Sequence, residues 1–228
     1  MPRRITLGTA GLVFHVVNRG VRRLRLFDHD GDYRAWLQAF AKAQERFPVE
    51  VFAYCLMPNH FHLVARPRED RQLAEFMRIG TVTHSMRWHR HRGTGGTGAV
   101  YQGRYRAFPV QTNDYFFNVC RYVEGNALRS SLVNLAEDWP WSSLSARLRN
   151  RHILNVSEWP VARPPDWTRT VNDAGNIPLD PIRQSVRRSI PFGEPAWSED
   201  TAKLLGLMKG YRRPGVSPRT RSGLNSSN

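Results

Sequence analysis

Two runs of β-branched, aromatic and aliphatic residues, Val49 to Leu56 and His60 to Arg66, stand on either side of Met57-Pro58-Asn59. No other feature limits the fold as tightly. Pro58 fixes φ and Asn59 tolerates tight geometry, so the chain turns back there and the two runs pair as a hairpin. Upstream, Leu12 to Asn18 is β-branched and aromatic and predicts a strand. From Asp32 to Phe47 the side chains Trp36, Phe40, Ala43 and Phe47 recur at helical spacing until Pro48 ends the run. Downstream, Arg71 to Arg92 carries Leu73, Phe76, Met77 and Trp88 and predicts a second helix, weakened by Gly80 and by Thr81-Val82-Thr83. A strand resumes over Val100 to Val110. A third helix, N-capped at Asn113 or Asp114, buries Phe116, Val119, Cys120, Val123 and Ala127.

Strand, helix, hairpin, helix, strand is the order of the split βαβ arrangement, so the expected class is α+β: a ferredoxin-like antiparallel sheet with one helix added. That fold by itself names no function. The expected division is a domain over 1–144, an irregular Pro/Trp/Arg-rich extension over 145–210 packing on it, and a basic, then Ser/Asn-rich tail over 211–228 that reads as disordered. A short helix is expected from about Trp197 to Leu207.

Lys and Arg number 34 against 19 Asp and Glu, a formal charge of +15 that favours a polyanionic partner. Nucleic acid fits better than a membrane, because no apolar run approaches the roughly 18 residues that a spanning helix needs. Met1 to Val17 faintly imitates a signal peptide, but His15 interrupts its apolar stretch and a strand is the better reading. Cys55 and Cys120 both sit in apolar segments and read as small buried side chains. The cytoplasm is therefore the expected compartment.

Strand alternation sends His60 and His62 to one face and Phe61, Leu63 and Ala65 to the other. Two imidazoles so placed can close on one metal ion. Such a pair alone is more often two polar residues on a wet sheet face. On the third helix, Tyr122 and Asn126 are four residues apart and share a stripe. Tyrosine oxygen attacks phosphorus well once deprotonated, and the Asn126 carbonyl oxygen could be a third ligand. Taken alone, this segment reads slightly better as Tyr122 packing on the sheet with Asn126 ending the helix beside Gly125. Tyr115, two turns earlier, is the rival nucleophile but lacks a polar residue four positions on.

Four stretches together carry a resemblance: His15-Val16-Val17-Asn18-Arg19-Gly20, Met57-Pro58-Asn59-His60-Phe61-His62-Leu63-Val64, Tyr101-Gln102-Gly103-Arg104-Tyr105-Arg106 and Arg121-Tyr122-Val123-Glu124-Gly125-Asn126. In this order they resemble the REP-associated tyrosine transposases of the HUH single-strand transposase superfamily, over Thr6 to Leu144. The resemblance implies a catalytic domain in which His60, His62 and Asn126 hold Mg²⁺ or Mn²⁺ and Tyr122 attacks a phosphodiester. It implies a 5′-phosphotyrosine intermediate, a freed 3′ hydroxyl, and a partner that is single-stranded or hairpin DNA from repetitive palindromic elements. Relatives place the tyrosine in cis or in trans, so both monomer and homodimer are compatible. Where the family more often has proline after the helix asparagine, this chain has Ala127.

Arginines mark an expected DNA path: Arg19, Arg22, Arg23 and Arg25 after the first strand, Arg87 and Arg90 about Trp88, and Arg104 and Arg106 about Tyr105. Cations meet phosphates and rings stack on bases. His84, His89 and His91 lie on a helix too basic for a further cation, so phosphate contact or plain exposure is preferred. Gly93-Thr94-Gly95-Gly96-Thr97-Gly98 satisfies G-x-G-x-x-G, but it follows a helix and leads into a strand, the reverse of a dinucleotide turn. The expectation is thus a single-strand DNA transposase. The rival readings are a binding module that does not cut, and a metal-dependent nuclease that uses water.

Overall fold

The hairpin forms where Pro58 and Asn59 require it. In the computed structural model, which describes residues 8–173, 175 and 177–211, β2 (Glu50–Met57) pairs antiparallel with β3 (His60–Arg66), Met57 opposite His60 and Cys55 opposite His62. The strand β1 (Val13–Arg19) lies on the other side of β3, with Val17 opposite His62 and Arg19 opposite His60. Beyond it runs β4 (Arg106–Val110). The sheet order β2-β3-β1-β4, antiparallel throughout, is that of the ferredoxin-like arrangement. Strand is confined to the end of the stretch from Val100, since Gly103 takes a left-handed φ of 96° and breaks the extended run.

Alternation along the strands splits the core in two. Phe14, Val16, Phe61, Leu63 and Ala65 face a layer made by α1 (Asp30–Arg46) and α2 (Gln72–Arg92). Trp36 and Phe40, one turn apart on α1, stack with centroids 3.9 Å apart and press against Phe61. The helix α2 runs unbroken through Gly80, where helix propensity alone predicts a weak point. The reason is contact: a Cβ at Gly80 would lie 2.6 Å from Cε1 of Phe40, so glycine lets the two helices approach.

On the opposite face, Val13, Val64, Phe52, Cys55 and Val110 pack against α3 (Asp114–Glu124), whose Phe116, Val119, Cys120 and Val123 point at the sheet. Asn113 caps this helix, its Oδ1 accepting the Tyr115 amide at 3.1 Å. After Gly125, a single turn α4 (Asn126–Arg129) follows.

The chain from Trp139 onward then covers both sheet edges. It contains α5 (Ser143–Leu148), which runs across the expected 144/145 division, then α6 (Trp167–Asn172), α7 (Leu179–Arg188) and α8 (Pro195–Leu204). Along β2, the indole N–H groups of Trp139 and Trp159 donate to the carbonyls of Leu56 and Phe52, both at 2.9 Å. Backbone bonds Leu56 N–H to Trp141 O and Ser157 N–H to Val51 O complete that side. Beside β4, Phe192 donates its amide to Pro109 O and accepts from Gln111. Bare strand edges invite pairing with other chains, and these bonds occupy them. No helix among the described residues is long and apolar enough to cross a membrane. The expected tail over 211–228 lies, Tyr211 apart, outside the described residues.

Candidate active site

The period of β3 sets His60 and His62 on the α3 side of the sheet, and His15 joins them from β1. His15 Nε2 and His62 Nδ1 are 2.8 Å apart, and the His60 and His62 rings are centred 5.1 Å apart. Above them hangs Tyr122, its ring edge-on to His62 at 5.7 Å and to His15 at 5.9 Å. One chain thus brings together both histidines and the tyrosine. Tyr115 instead packs edge-on against Phe192 at 4.9 Å, away from this group.

The histidines are not on a wet surface. His62 is 3% exposed and His15 fully buried, because α3 closes over this face. Burial holds all three imidazoles neutral: His15 is pulled down to about 3, His60 to about 4 with help from the Arg19 charge, and His62 well below its ordinary range. Neutral imidazole is the metal-binding form.

The two neutral imidazoles suit a divalent ion. Asn59 Oδ1 lies 2.7 Å from His60 Nδ1; an amide oxygen can only accept, so His60 carries its proton there and turns the Nε2 lone pair outward. If His62 likewise donates from Nδ1 to His15, its Nε2 is free, and the His15 proton moves to Nδ1, an atom buried without a partner among the described residues. Asn126 is buried at the start of α4 with its Nδ2 unpartnered, and no hydrogen bond among the described residues joins it to the histidines. Two imidazoles and one amide suit Mn²⁺ better than Mg²⁺, which prefers oxygen.

A second group, His29, Asp32 and His91, also gathers its ligand atoms within 4.8 Å of one another, at the α1–α2 layer. Its carboxylate is already engaged. Asp32 accepts from both Arg92 Nη atoms, from His29 Nδ1 and from the Asp28 amide. Burial would raise its carboxyl, but the Arg92 fork outweighs that and holds it at about 2.

Residues 9–126, more than half of the chain, match the family described as "Transposase IS200 like". The chain belongs to this family. A Haemophilus influenzae protein provisionally named a REP-associated tyrosine transposase is 23% identical over 140 residues, which are 57% of this chain and 77% of that protein. A solved REP-associated tyrosine transposase, bound to a REP hairpin, superimposes with a TM-score of 0.53 at 20% identity, covering 72% of this chain and 97% of that one. At that identity the superposition establishes the fold.

In this IS200-like transposase the expected arginines divide into two sets. Arg19, Arg22, Arg23, Arg90 and Arg104 are exposed, and Arg22 and Arg23 sit in a turn with left-handed φ values of 49° and 64°. Others brace the fold. Arg87 reaches the Ala35 carbonyl, and Arg106, though exposed, donates to the carbonyls of Val186 and Arg187 at the end of α7. Trp88 is a strut as well, donating from Nε1 to Leu26 O with the Arg92 guanidinium 4.4 Å from its ring centre. Of the three histidines of α2, expected to meet phosphate or simply to be exposed, only His91 is exposed. His84 is buried against the Tyr101 hydroxyl, and His89 ties down the glycine loop through Thr94 and Gly98.

Sequence reasoning overlooked four residues here. His15 stood inside a quoted motif, yet its pairing with His62 needed the β1–β3 register. Glu124 is fully buried and accepts from Ser143 Oγ and, at 2.6 Å, from Trp167 Nε1; burial pushes its carboxyl up. Arg121 donates to the carbonyls of Asp173 and Gly175, both at 2.7 Å. Arg129 lies over the Tyr122 ring at 4.6 Å. A charged residue inside the apolar stripe of α3 was the available signal for Glu124.

Proposed function

We propose that this chain cleaves and rejoins single-stranded, hairpin-bearing DNA with Tyr122 as nucleophile, next to a divalent ion held by His60, His62 and Asn126. The observation that carries the reading is the Tyr122 ring edge-on to His62 and His15 of its own chain. In cleavage the Tyr122 oxygen bonds to phosphorus as the bond to the 3′ oxygen breaks. The phenolic proton leaves to water or to the departing oxygen. The 5′ phosphate stays on the tyrosine, and the freed 3′ hydroxyl, or another end, reverses the exchange. A bound Mg²⁺ or Mn²⁺ would supply charge stabilisation at the phosphate oxygens.

The chain's own residues prepare that centre. Asn59 and His15 orient the two imidazoles, α3 holds the tyrosine over them and limits access of water, and exposed Arg19, Arg22, Arg23, Arg90 and Arg104 receive the phosphate backbone. The +15 charge and the REP hairpin in the similar transposase support DNA as partner. Free, buried Cys55 and Cys120 suit the reducing cytoplasm. The test is Tyr122→Phe with Tyr115→Phe as control, assayed on labelled hairpins with Mn²⁺. Tyr122→Phe should bind DNA but yield neither cut strand nor a protein–DNA adduct that survives denaturation. An adduct formed by Tyr122→Phe and lost in Tyr115→Phe would move the nucleophile to Tyr115, and cutting with no adduct would point to water.

A further inference from the structure

The guanidinium of Arg129 is spent inside the protein rather than on its surface. Its carbon lies 4.6 Å from the centre of the Tyr122 ring, and its Nη2 donates to the Tyr122 backbone carbonyl. One side chain therefore grips both the ring and the main chain of the same residue. Its other terminal nitrogen, Nη1, is buried and has no hydrogen-bond partner among the described residues. Leaving a guanidinium N–H dry and unpaired is costly, so the contact with Tyr122 must compensate for it.

Gly125 makes room for this grip. Its backbone, at φ −84° and ψ 9°, is open to any residue, so conformation does not call for glycine. Space does: a Cβ there would lie 2.8 Å from Arg129 Nη1 and 3.1 Å from the Arg121 carbonyl. The run Tyr122, Gly125, Arg129 thus works as one device across the α3–α4 junction.

We infer that Arg129 is a positioning residue, which holds the Tyr122 ring in its T-shaped contacts with His15 and His62. A phenol on a helix can swing by rotation about χ1, and a ring in contact with both the guanidinium and the imidazoles keeps its oxygen where the phosphate must arrive. The inference rests on Tyr122 being the nucleophile. A cation over a ring in a desolvated setting is the strong form of that contact, and guanidinium serves better than ammonium because it can also fork to a carbonyl.

The experiment measures single-turnover cleavage at saturating hairpin oligonucleotide with Mn²⁺, together with hairpin Kd and Tm, for Arg129→Met, Arg129→Lys and Gly125→Ala, with Tyr122→Phe alongside. Arg129→Met should slow cleavage by about thirtyfold, Arg129→Lys by less, with Kd within about twofold of wild type. Gly125→Ala should slow cleavage too, but add little to Arg129→Met, because the arginine it displaces is already gone. A merely structural arginine would move Tm and Kd and leave the saturated rate alone. Wild-type rates in both Arg129→Met and Arg129→Lys, beside an inactive Tyr122→Phe, would overturn this inference and leave the nucleophile standing. Cleavage by Tyr122→Phe would remove the nucleophile itself. If Arg129→Met fails to fold, Arg129→Lys decides: an unchanged saturated rate with raised Kd refutes positioning.

Discussion

Replacing Gly80 with alanine should destabilise the protein, although helix propensity favours alanine by about 0.5–1 kcal/mol. The added methyl would sit 2.6, 2.7 and 2.8 Å from three carbons of the Phe40 ring, against an ordinary contact of about 3.5–4 Å. The ring would need to move by about 1 Å. It cannot do so freely, since Trp36 stacks on it and Phe61 and Phe76 meet its edges at 5.7 and 5.4 Å. Overpacking of this kind costs about 1–3 kcal/mol, so after the propensity gain the net loss is up to about 2.5 kcal/mol. For a chain of this size that lowers Tm by a few degrees, roughly 2–4 °C per kcal/mol. The assay is thermal unfolding followed by circular dichroism, with Phe40→Leu as a second-site partner: the double variant should recover part of the loss. A Tm at or above wild type in Gly80→Ala would refute the close-approach argument and leave the propensity reading.

His60→Ala should abolish Mn²⁺ binding, measured by calorimetry, with little change in Tm, whereas His62→Ala should lose the metal and also about 1–3 kcal/mol by stranding His15 Nε2. Because burial raises the Glu124 carboxyl above its unfolded value, its stabilising share is intact below that unfolded value and is lost as pH rises through the folded one. Glu124→Gln should accordingly match wild type near pH 4 and exceed it in Tm increasingly towards neutrality; a gap that shrinks with rising pH would contradict the burial argument. Hairpin binding should weaken steeply between about 50 and 200 mM salt. Arg104→Ala should flatten that slope without moving Tm, while Arg106→Ala should lower Tm by releasing α7, and equal effects of the two would undo the division of the arginines.

Local pattern carried much of this molecule. The turn at Pro58-Asn59, the facing of His60 and His62, and the Asn113 cap all follow from interactions within a few residues, which a sequence displays directly. What the sequence hid depends on register and on distant segments. Whether His62 is wet or dry is decided by α3 lying over it with Tyr122, not by strand alternation. Trp88 looks like a stacking platform until Leu26 and Arg92 occupy it, and Arg106 looks like a phosphate ligand until α7 ends beside it. Gly80 was misleading for the same reason, because a propensity cannot know that Phe40 lies opposite.

The covered sheet edges also set an order of events at the ribosome. β2 is synthesised early, yet its outer carbonyl at Phe52 waits for Trp159, 107 residues later in the chain. β4 waits for Phe192, whose amide bonds Pro109. Until those segments emerge, the nascent chain carries a four-stranded sheet whose outer strands are incompletely covered, a state in which strands add to foreign strands. Folding on the ribosome therefore finishes late, and a chain halted before Phe192 is an aggregation hazard even with every candidate active-site residue already made.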